Sequence, residues 1–250
     1  MTVLTSVDLP EGVSSQLYLS GIIFEFLMFF VVVLIMILSI KKYLERRTRL
    51  NVYIVSICMG FVIALFSTAF GKFGVMFFGW AFVVGSGFDK IALLTLVAVN
   101  CLFMIFTLDT FTKMKQKRKS LIILLYILCY VPAVVDIIIN FFAIANILAS
   151  LIHVILSLVF SITLMRFVLQ TIQDIDQKVH KIGMWLVFFT SLFILSFYLL
   201  TNTSILLIAL GVLKPFNIFY FISWICMVLA LFLFYTGFFQ PKWFKNMINK

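Results

Sequence analysis

Seven apolar runs, each long enough to cross a lipid bilayer, constrain the fold of this chain more than any other feature of its sequence. The hydrocarbon core of a bilayer needs about 20 consecutive, mostly apolar residues in a helix. The runs cover residues 18–40, 51–70, 89–112, 120–144, 146–169, 183–203 and 216–240. The sequence therefore predicts an all-α integral membrane protein, in which residues 1–250 form a single seven-helix transmembrane domain.

The composition excludes a water-soluble domain. Of the 250 residues, 64% are hydrophobic and only 11% are charged, whereas a soluble domain has about 25% charged residues. A net charge of +10 could indicate nucleic-acid binding, but the basic residues fall in short clusters between the apolar runs and form no basic stripe with interleaved aromatic residues. We therefore expect the lipid bilayer as a partner and no nucleic acid.

The basic residues also predict the orientation of the chain. Cytoplasmic loops of membrane proteins carry an excess of Lys and Arg. If the N-terminus is outside, 16 of the 19 basic residues lie on the inner side, and only Lys72, Lys90 and Lys214 remain outside. Residues 1–17 contain no Lys or Arg, so the basic region of a cleavable signal peptide is missing. We expect a multi-pass protein of the cell membrane with a cytoplasmic C-terminus, inserted by its first helix.

One segment, 71–88, is apolar but has a different character from the seven runs. It contains Gly74, Gly79, Gly85 and Gly87, and glycines at this density favour turns. An eighth span here would also separate the first basic cluster from the others across the bilayer. We expect the segment to cap the outer face of the bundle without crossing it.

A few ionisable side chains interrupt the apolar runs, and such residues are costly in a membrane and often mark a functional site. A rise of about 1.5 Å per residue puts Glu25, Asp136 and His153 at a similar depth, in the outer third of the bilayer. Tyr198 and Trp224 reach the same level on the sixth and seventh runs. We expect these five residues to line a ligand-binding pocket.

Polar residues on the fifth run favour a lined cavity at this level. They recur on one helical face, which contains Asn146, Ser150, His153, Ser157 and Ser161. Pro132, one turn before Asp136, would free a backbone carbonyl for a polar partner. Serine and asparagine also join helices without binding a ligand, so the stripe alone leaves both interpretations open.

The sequence contains no catalytic motif that we can identify. His153 and His180 lie near opposite sides of the bilayer and cannot form a haem site together. There is no Ser-His-Asp set, phosphate-binding glycine loop or paired-aspartate motif, and one histidine with two carboxylates is a generic pattern for a metal. We expect neither enzymatic activity nor a cofactor or resident metal. The seven-helix layout resembles microbial rhodopsins and G-protein-coupled receptors in topology alone, since the seventh run has no lysine for retinal.

The closing segment, YTGFFQPKWFKNMINK, covers residues 235–250. With its Gly-Phe-Phe-x-Pro-x-Trp core, it resembles the end of uncharacterised archaeal seven-helix proteins and of the seven-helix input modules of microbial sensor kinases. The resemblance implies a sensing role. Because the sequence ends without a kinase, we expect a separate partner to carry the signal.

Three functions are consistent with these features. The first is a receptor-like sensor that binds a small ligand in the outer pocket and contacts a cytoplasmic partner or anionic lipid through its basic inner loops. The second is a proton-coupled or cation-coupled transporter or channel that uses the same acidic groups. The third is a non-catalytic subunit of a larger membrane complex. A closed inner half would favour sensing, a continuous polar path would favour transport, and an apolar belt matched to protein neighbours would favour a subunit.

Overall fold

The computed structural model describes residues 14–80, 82–139, 147–214 and 216–248. In these ranges the chain forms eight α-helices: α1 (Ser15–Arg46), α2 (Arg49–Phe78), α3 (Phe82–Phe111), α4 (Gln116–Ile139), α5 (Ile147–Gln173), α6 (Lys178–Ala209), α7 (Ile218–Phe239) and α8 (Lys242–Ile248). The first seven are long and apolar enough to cross a membrane. The predicted all-α architecture is therefore confirmed, with seven helices of the length and hydropathy that a membrane span needs. The predicted boundaries at residues 144 and 146 lie outside the described residues.

Polar side chains mark where several of the helices begin. Ser14, Thr48 and Asn217 each accept a hydrogen bond from the backbone N–H three residues further on. These bonds satisfy donors that have no partner inside a helix. At the other end, α2 stops at Gly79 and α7 at Gln240, and both residues adopt the left-handed conformation that commonly ends helices. These residues thus mark the ends of α1, α2 and α7 in the sequence.

Among the described residues, the segment 71–88 forms no additional candidate span beside the seven. Most of its described residues are nevertheless helical. We expected turns from residue 71 onward, whereas α2 continues to Phe78 and α3 begins at Phe82. Gly74 lies inside α2, where the Trp80 ring packs against it. A Cβ at this position would lie 2.0 Å from a ring carbon, so the contact requires a glycine. Gly79 has the predicted role of a turn residue, since it follows the last residue of α2 and its φ is +66°. Residue 81 lies outside the described residues.

The seven spanning helices pack in a closed ring, with consecutive helices in contact and α7 returning to α1. α3 also contacts α5, which places α3 toward the centre of the bundle. α1 and α4 are the most peripheral, since only 28% and 22% of their most apolar windows are buried inside the protein. The remaining faces of these two helices are apolar and suit contact with lipid.

α6 and α7 approach closely at the end of α7. A Cβ on Gly183 would lie 2.7 Å from the backbone oxygen of Gly237, closer than a side chain tolerates. Small residues allow membrane helices to pack backbone against backbone. The two glycines therefore fix the position of the last turn of α7 against the start of α6.

Candidate functional site

A buried ion pair joins α1 and α2 in the half of the bundle that the sequence predicts to be outer. Lys72 Nζ donates to Glu25 Oε1 at 2.5 Å, and the two side chains are 15% and 0% exposed. Lys72 Nζ also lies 3.6 Å from Asp89 Oδ1 and donates to the Tyr220 hydroxyl at 3.4 Å. Glu25, Lys72, Asp89 and Tyr220 form the charged cluster, which connects α1, α2, α3 and α7.

The charged cluster contains two carboxylates and one ammonium group. Lys72 Nζ lies 5.6 Å from the ring centroid of Phe216 and 5.4 Å from that of Tyr220, so aromatic faces also stabilise its charge. Glu25 Oε2 is buried, and no atom of the described residues is its hydrogen-bond partner. A buried carboxylate oxygen needs such a partner. The arrangement can therefore accept a proton, a small cation or another hydrogen-bond donor.

Lys72 is a member of the charged cluster that our sequence reasoning did not include in the candidate site. We counted it as an outer-loop cation because the second apolar run ends at residue 70, whereas α2 extends two turns further. A signal was present in the sequence. Glu25 and Lys72 lie at similar distances along the chain on either side of Arg47, where α1 ends. In an antiparallel helix pair, such residues lie side by side.

A second polar centre surrounds His153, which is 1% exposed. Its ring centroid lies 4.6 Å from that of Tyr198 and 5.7 Å from that of Tyr130. Asn100 Nδ2 donates to the Tyr130 hydroxyl at 2.7 Å and to Ser157 Oγ at 2.9 Å. Ser157 Oγ in turn donates to the backbone carbonyl of His153. Asn100, Tyr130, His153, Ser157 and Tyr198 form the histidine centre, which connects α3, α4, α5 and α6.

Several buried atoms of the histidine centre have no hydrogen-bond partner among the residues that the structure describes. They are both ring nitrogens of His153, Asn100 Oδ1 and the Tyr198 hydroxyl. Buried polar atoms are nearly always hydrogen-bonded in proteins, to protein groups or to bound water. The histidine centre therefore offers donors and acceptors to a small polar molecule, without a charged side chain in contact with the His153 ring among the described residues.

Asp136 is in the last turn of α4, and its side chain reaches the start of α5. Its Oδ2 accepts a hydrogen bond from the backbone N–H of Ala149 at 3.1 Å, in the first turn of that helix. A carboxylate at this position is favoured by the unpaired N–H groups and the dipole of the helix. Asp136 also lies within electrostatic range of Lys90, which is 5% exposed. The N-terminus of α5 therefore stabilises a carboxylate that interrupts the fourth apolar run.

Trp224 reaches the histidine centre through an aromatic contact. Its ring centroid lies 5.1 Å from that of Phe197, which lies 5.0 Å from that of Tyr198. The structure therefore brings together three of the five predicted site residues, His153, Tyr198 and Trp224. Among the described residues, no hydrogen bond or ion pair joins Glu25, Asp136 and His153 to one another. Depth along a helix predicted the level of these residues but not the direction in which each side chain points.

An apolar layer separates the histidine centre from the opposite end of the bundle. Its members lie on α3, α5 and α7, and each is 0% exposed: Phe103, Phe106, Phe160 and Phe234. The ring centroid of Phe103 lies 5.2 Å from that of Phe160 and 5.5 Å from that of Phe234. Phe106 packs on Phe234 at 5.2 Å. This aromatic layer begins one helical turn beyond Asn100 and fills the centre of the bundle.

A cavity of about 810 Å³ lies beyond the aromatic layer, where α3, α5 and α7 end and α6 begins. Its wall includes the charged or titratable side chains of Lys113, Asp174, Asp176 and His180. Phe238 also lines it and packs on Phe106 with centroids 5.1 Å apart. This inner cavity is therefore in direct contact with the aromatic layer. Among the described residues, no group of three His, Cys, Asp or Glu side chains is placed to hold a metal ion.

The chain was compared with known protein families, curated proteins and solved structures, and no match was found.

Proposed function

We propose that the chain is a receptor-like membrane sensor that binds a small ligand in its outer half and signals to a cytoplasmic partner. The observation that carries this proposal is the order of features along the bundle. Two buried polar centres lie on one side of a closed aromatic layer, and an open cavity lies on the other. A receptor needs a binding site and an output surface that are separated in space but connected by packed helices.

The charged cluster suggests a small organic amine as the ligand class. Two carboxylates attract a cation, and the rings of Phe216 and Tyr220 offer aromatic faces to it. Glu25 Oε2 supplies a hydrogen-bond acceptor. An amine that bound Glu25 would compete with Lys72 for the same carboxylate. Because Glu25 is on α1 and Lys72 on α2, this competition would favour a different packing of the two helices.

A conformational change would reach the inner cavity through α3 and α7, which contribute residues both near the histidine centre and in the aromatic layer. α3 carries Asn100 and Phe103, and α7 carries Trp224 and Phe234. Closely packed side chains tend to switch between discrete arrangements and do not deform continuously. A shift of α1 or α2 at the charged cluster would thus reach the wall of the inner cavity through α3 and α7, which contact them.

An amine-binding assay with a reporter in the inner cavity tests the proposal. A fluorophore on Thr112→Cys, in a Cys129→Ala background that removes an exposed thiol, would report on the cavity in reconstituted protein. We expect a saturable fluorescence change with one or more small primary amines, and its loss in Glu25→Gln. The matched control is Glu45→Gln, which alters an exposed carboxylate of the same helix. No response to any amine, or an equal response in Glu25→Gln, would contradict the proposal.

Transport is the second candidate, and a specific observation favours it. Buried polar atoms continue past the histidine centre, since Ser161 Oγ is buried and has no partner among the described residues. A proton or cation path would require the aromatic layer to open. Vesicles that contain the protein and a pH-sensitive dye distinguish the two functions. We expect no proton flux above that of protein-free vesicles, with or without a sodium gradient, whereas a flux that Glu25→Gln abolishes would establish a transporter.

The proposed function also requires the inner cavity to face the cytoplasm. We propose an external N-terminus and a cytoplasmic C-terminus in the cell membrane, on the basis of the basic residues. In the Cys129→Ala background, a membrane-impermeant maleimide should label Asp8→Cys in intact cells and label Gln116→Cys only after lysis. Labelling of Gln116→Cys alone in intact cells would reverse the orientation.

A further inference from the structure

A groove of about 510 Å³ lies on the outer surface of the bundle between α5 and α6. Ile162, Met165 and Leu169 of α5 and Phe188 of α6 form its apolar walls. Ile162 is 52% exposed and Leu169 is 38% exposed, so this surface faces the membrane and not the interior of the protein. An apolar groove at this position suits an acyl chain.

The groove also contains an arginine inside a span. Arg166 lies on the spanning helix that ends at Gln173, and its side chain is exposed on the same surface. Among the described residues, no carboxylate lies within ion-pair distance of Arg166. Intramembrane cations commonly pair with an anion, and the nearest anions outside the protein are lipid headgroups.

Two amide side chains accompany the arginine. Gln170 and Gln173 also line the groove, and their spacing from Arg166, four and seven residues along α5, places all three on one helical face. A guanidinium group donates two parallel hydrogen bonds to a phosphate, and amide N–H groups can donate to further oxygens. Apolar walls, one unpaired guanidinium and two amides match the parts of a phospholipid.

We propose that this groove is a binding site for an anionic phospholipid, with Arg166 bonded to the phosphate and the apolar walls in contact with an acyl chain. Gln170 lines both this groove and the inner cavity, so a bound lipid would contact the wall of that cavity. The proposal does not depend on the sensor function. Its rival is an arginine that extends to interfacial water without a bound lipid.

Fluorescence quenching by brominated lipid tests the proposal at a single position. Trp185 is 39% exposed, and its ring centroid lies 5.5 Å from that of Phe188, so it reports on the groove. The Trp185→Phe variant supplies the background from the other tryptophans. We expect brominated phosphatidylglycerol to quench Trp185 about twofold or more above brominated phosphatidylcholine, because arginine selects the anionic headgroup.

Variants of Arg166 test whether the stronger quenching by phosphatidylglycerol arises from the groove. Arg166→Gln should remove the preference for phosphatidylglycerol, and Arg166→Lys should retain part of it, since lysine keeps the charge but loses the paired geometry. Arg118→Gln is the matched control, because it removes an exposed arginine at the start of α4 and should leave the preference unchanged. Native mass spectrometry of lipid retained by the wild-type chain and Arg166→Gln makes the same comparison without a tryptophan change.

Three results would overturn the proposal. Equal quenching by the two lipids in the wild-type chain would show that the groove does not select an anionic headgroup. An unchanged preference in Arg166→Gln would place the selective site elsewhere. Loss of the preference on addition of inorganic phosphate would show that the groove binds free phosphate and not a lipid.

Discussion

The charged cluster and a second ionic network, at the opposite end of the bundle, use similar chemical groups but differ in burial. In the second network, Asp109 at the end of α3 accepts a hydrogen bond from the Tyr53 hydroxyl at 2.6 Å. Asp109 also lies 3.5 Å from Arg49 and 4.0 Å from Lys119. These four residues form the Asp109 network. The charged cluster combines two carboxylates with one lysine and a tyrosine, and the Asp109 network combines one carboxylate with two basic side chains and a tyrosine.

Exposure separates the Glu25–Lys72 pair from the Asp109–Arg49 pair, whereas Asp89, at the edge of the charged cluster, is 46% exposed. The side chain of Glu25 is 0% exposed, whereas that of Asp109 is 18% exposed and that of Arg49 is 79% exposed. Charges attract more strongly where water is excluded, but each also loses more hydration. An exposed pair is screened by salt and contributes about 0–1 kcal/mol. From this comparison we expect burial, and not the identity of the groups, to determine how much each network contributes to the free energy of unfolding.

The largest effect is expected from Glu25→Gln. Removal of one member of a buried pair leaves the other charge without compensation and costs about 3 kcal/mol of unfolding free energy. Equilibrium unfolding in detergent measures this loss. The double variant Glu25→Gln/Lys72→Met should lose less than the two single losses added together.

Glu45→Gln is the control for the Glu25 measurement, because Glu45 pairs with Lys42 on the surface of the same helix. It should leave unfolding unchanged. Strictly additive losses for Glu25→Gln and Lys72→Met would show that the ion pair does not contribute as a pair, and the comparison of the two regions would fail.

A smaller effect is expected from Asp109→Asn. The amide oxygen can still accept the Tyr53 bond, so the variant loses mainly the attraction to Arg49 and Lys119, about 1 kcal/mol or less. Molar sodium chloride should abolish most of the difference from the wild-type chain, because salt screens partly exposed charges. The Glu25→Gln loss should persist in the same salt. A salt-insensitive loss at Asp109, or one as large as that at Glu25, would contradict the difference in burial.

The smallest effect on stability is expected from His153→Leu. No atom of the described residues bonds to the His153 ring nitrogens, so an apolar side chain of similar volume should change the unfolding free energy by no more than about 0.5 kcal/mol. Asn100→Leu is the matched comparison, since it removes the bonds to Tyr130 and Ser157 and should be clearly destabilising. Equal losses in the two variants would show that His153 has a partner, and a double variant with Asp136→Asn would then test whether Asp136 is that partner.

Length and hydropathy were sufficient to predict the seven spans, because the thickness of the bilayer sets the length of each helix. They were insufficient for the end of α2, since the glycines of segment 71–88 suggested turns, whereas the packing of Trp80 against Gly74 requires a glycine in the helix. Local preference is a weak guide when a neighbouring ring occupies the space of a Cβ. The error removed Lys72 from the membrane in our prediction and hid the partner of Glu25.

The candidate site was predictable only in part, because a sequence indicates the depth of a residue along its helix but not the direction of its side chain. Helix rise predicted that the five residues share a level, and in the structure His153, Tyr198 and Trp224 are connected by a series of aromatic contacts. The rotation of each helix depends on contacts with its neighbours, which a single sequence does not reveal. Asn100 was missed although it is a polar residue in the middle of the third run, and the hydrogen bond between Asp136 and the first turn of α5 was not predicted.

The most direct test of the account is a distance measurement across the inner cavity in response to a change at the charged cluster. Spin labels on Thr112→Cys and Gln177→Cys, in the Cys129→Ala background, would flank the cavity. Pulsed electron paramagnetic resonance would then compare the chain with and without Glu25→Gln. We predict a shifted or broadened distance distribution in Glu25→Gln and none in Glu45→Gln. Identical distributions in all three proteins would contradict communication between the charged cluster and the inner cavity.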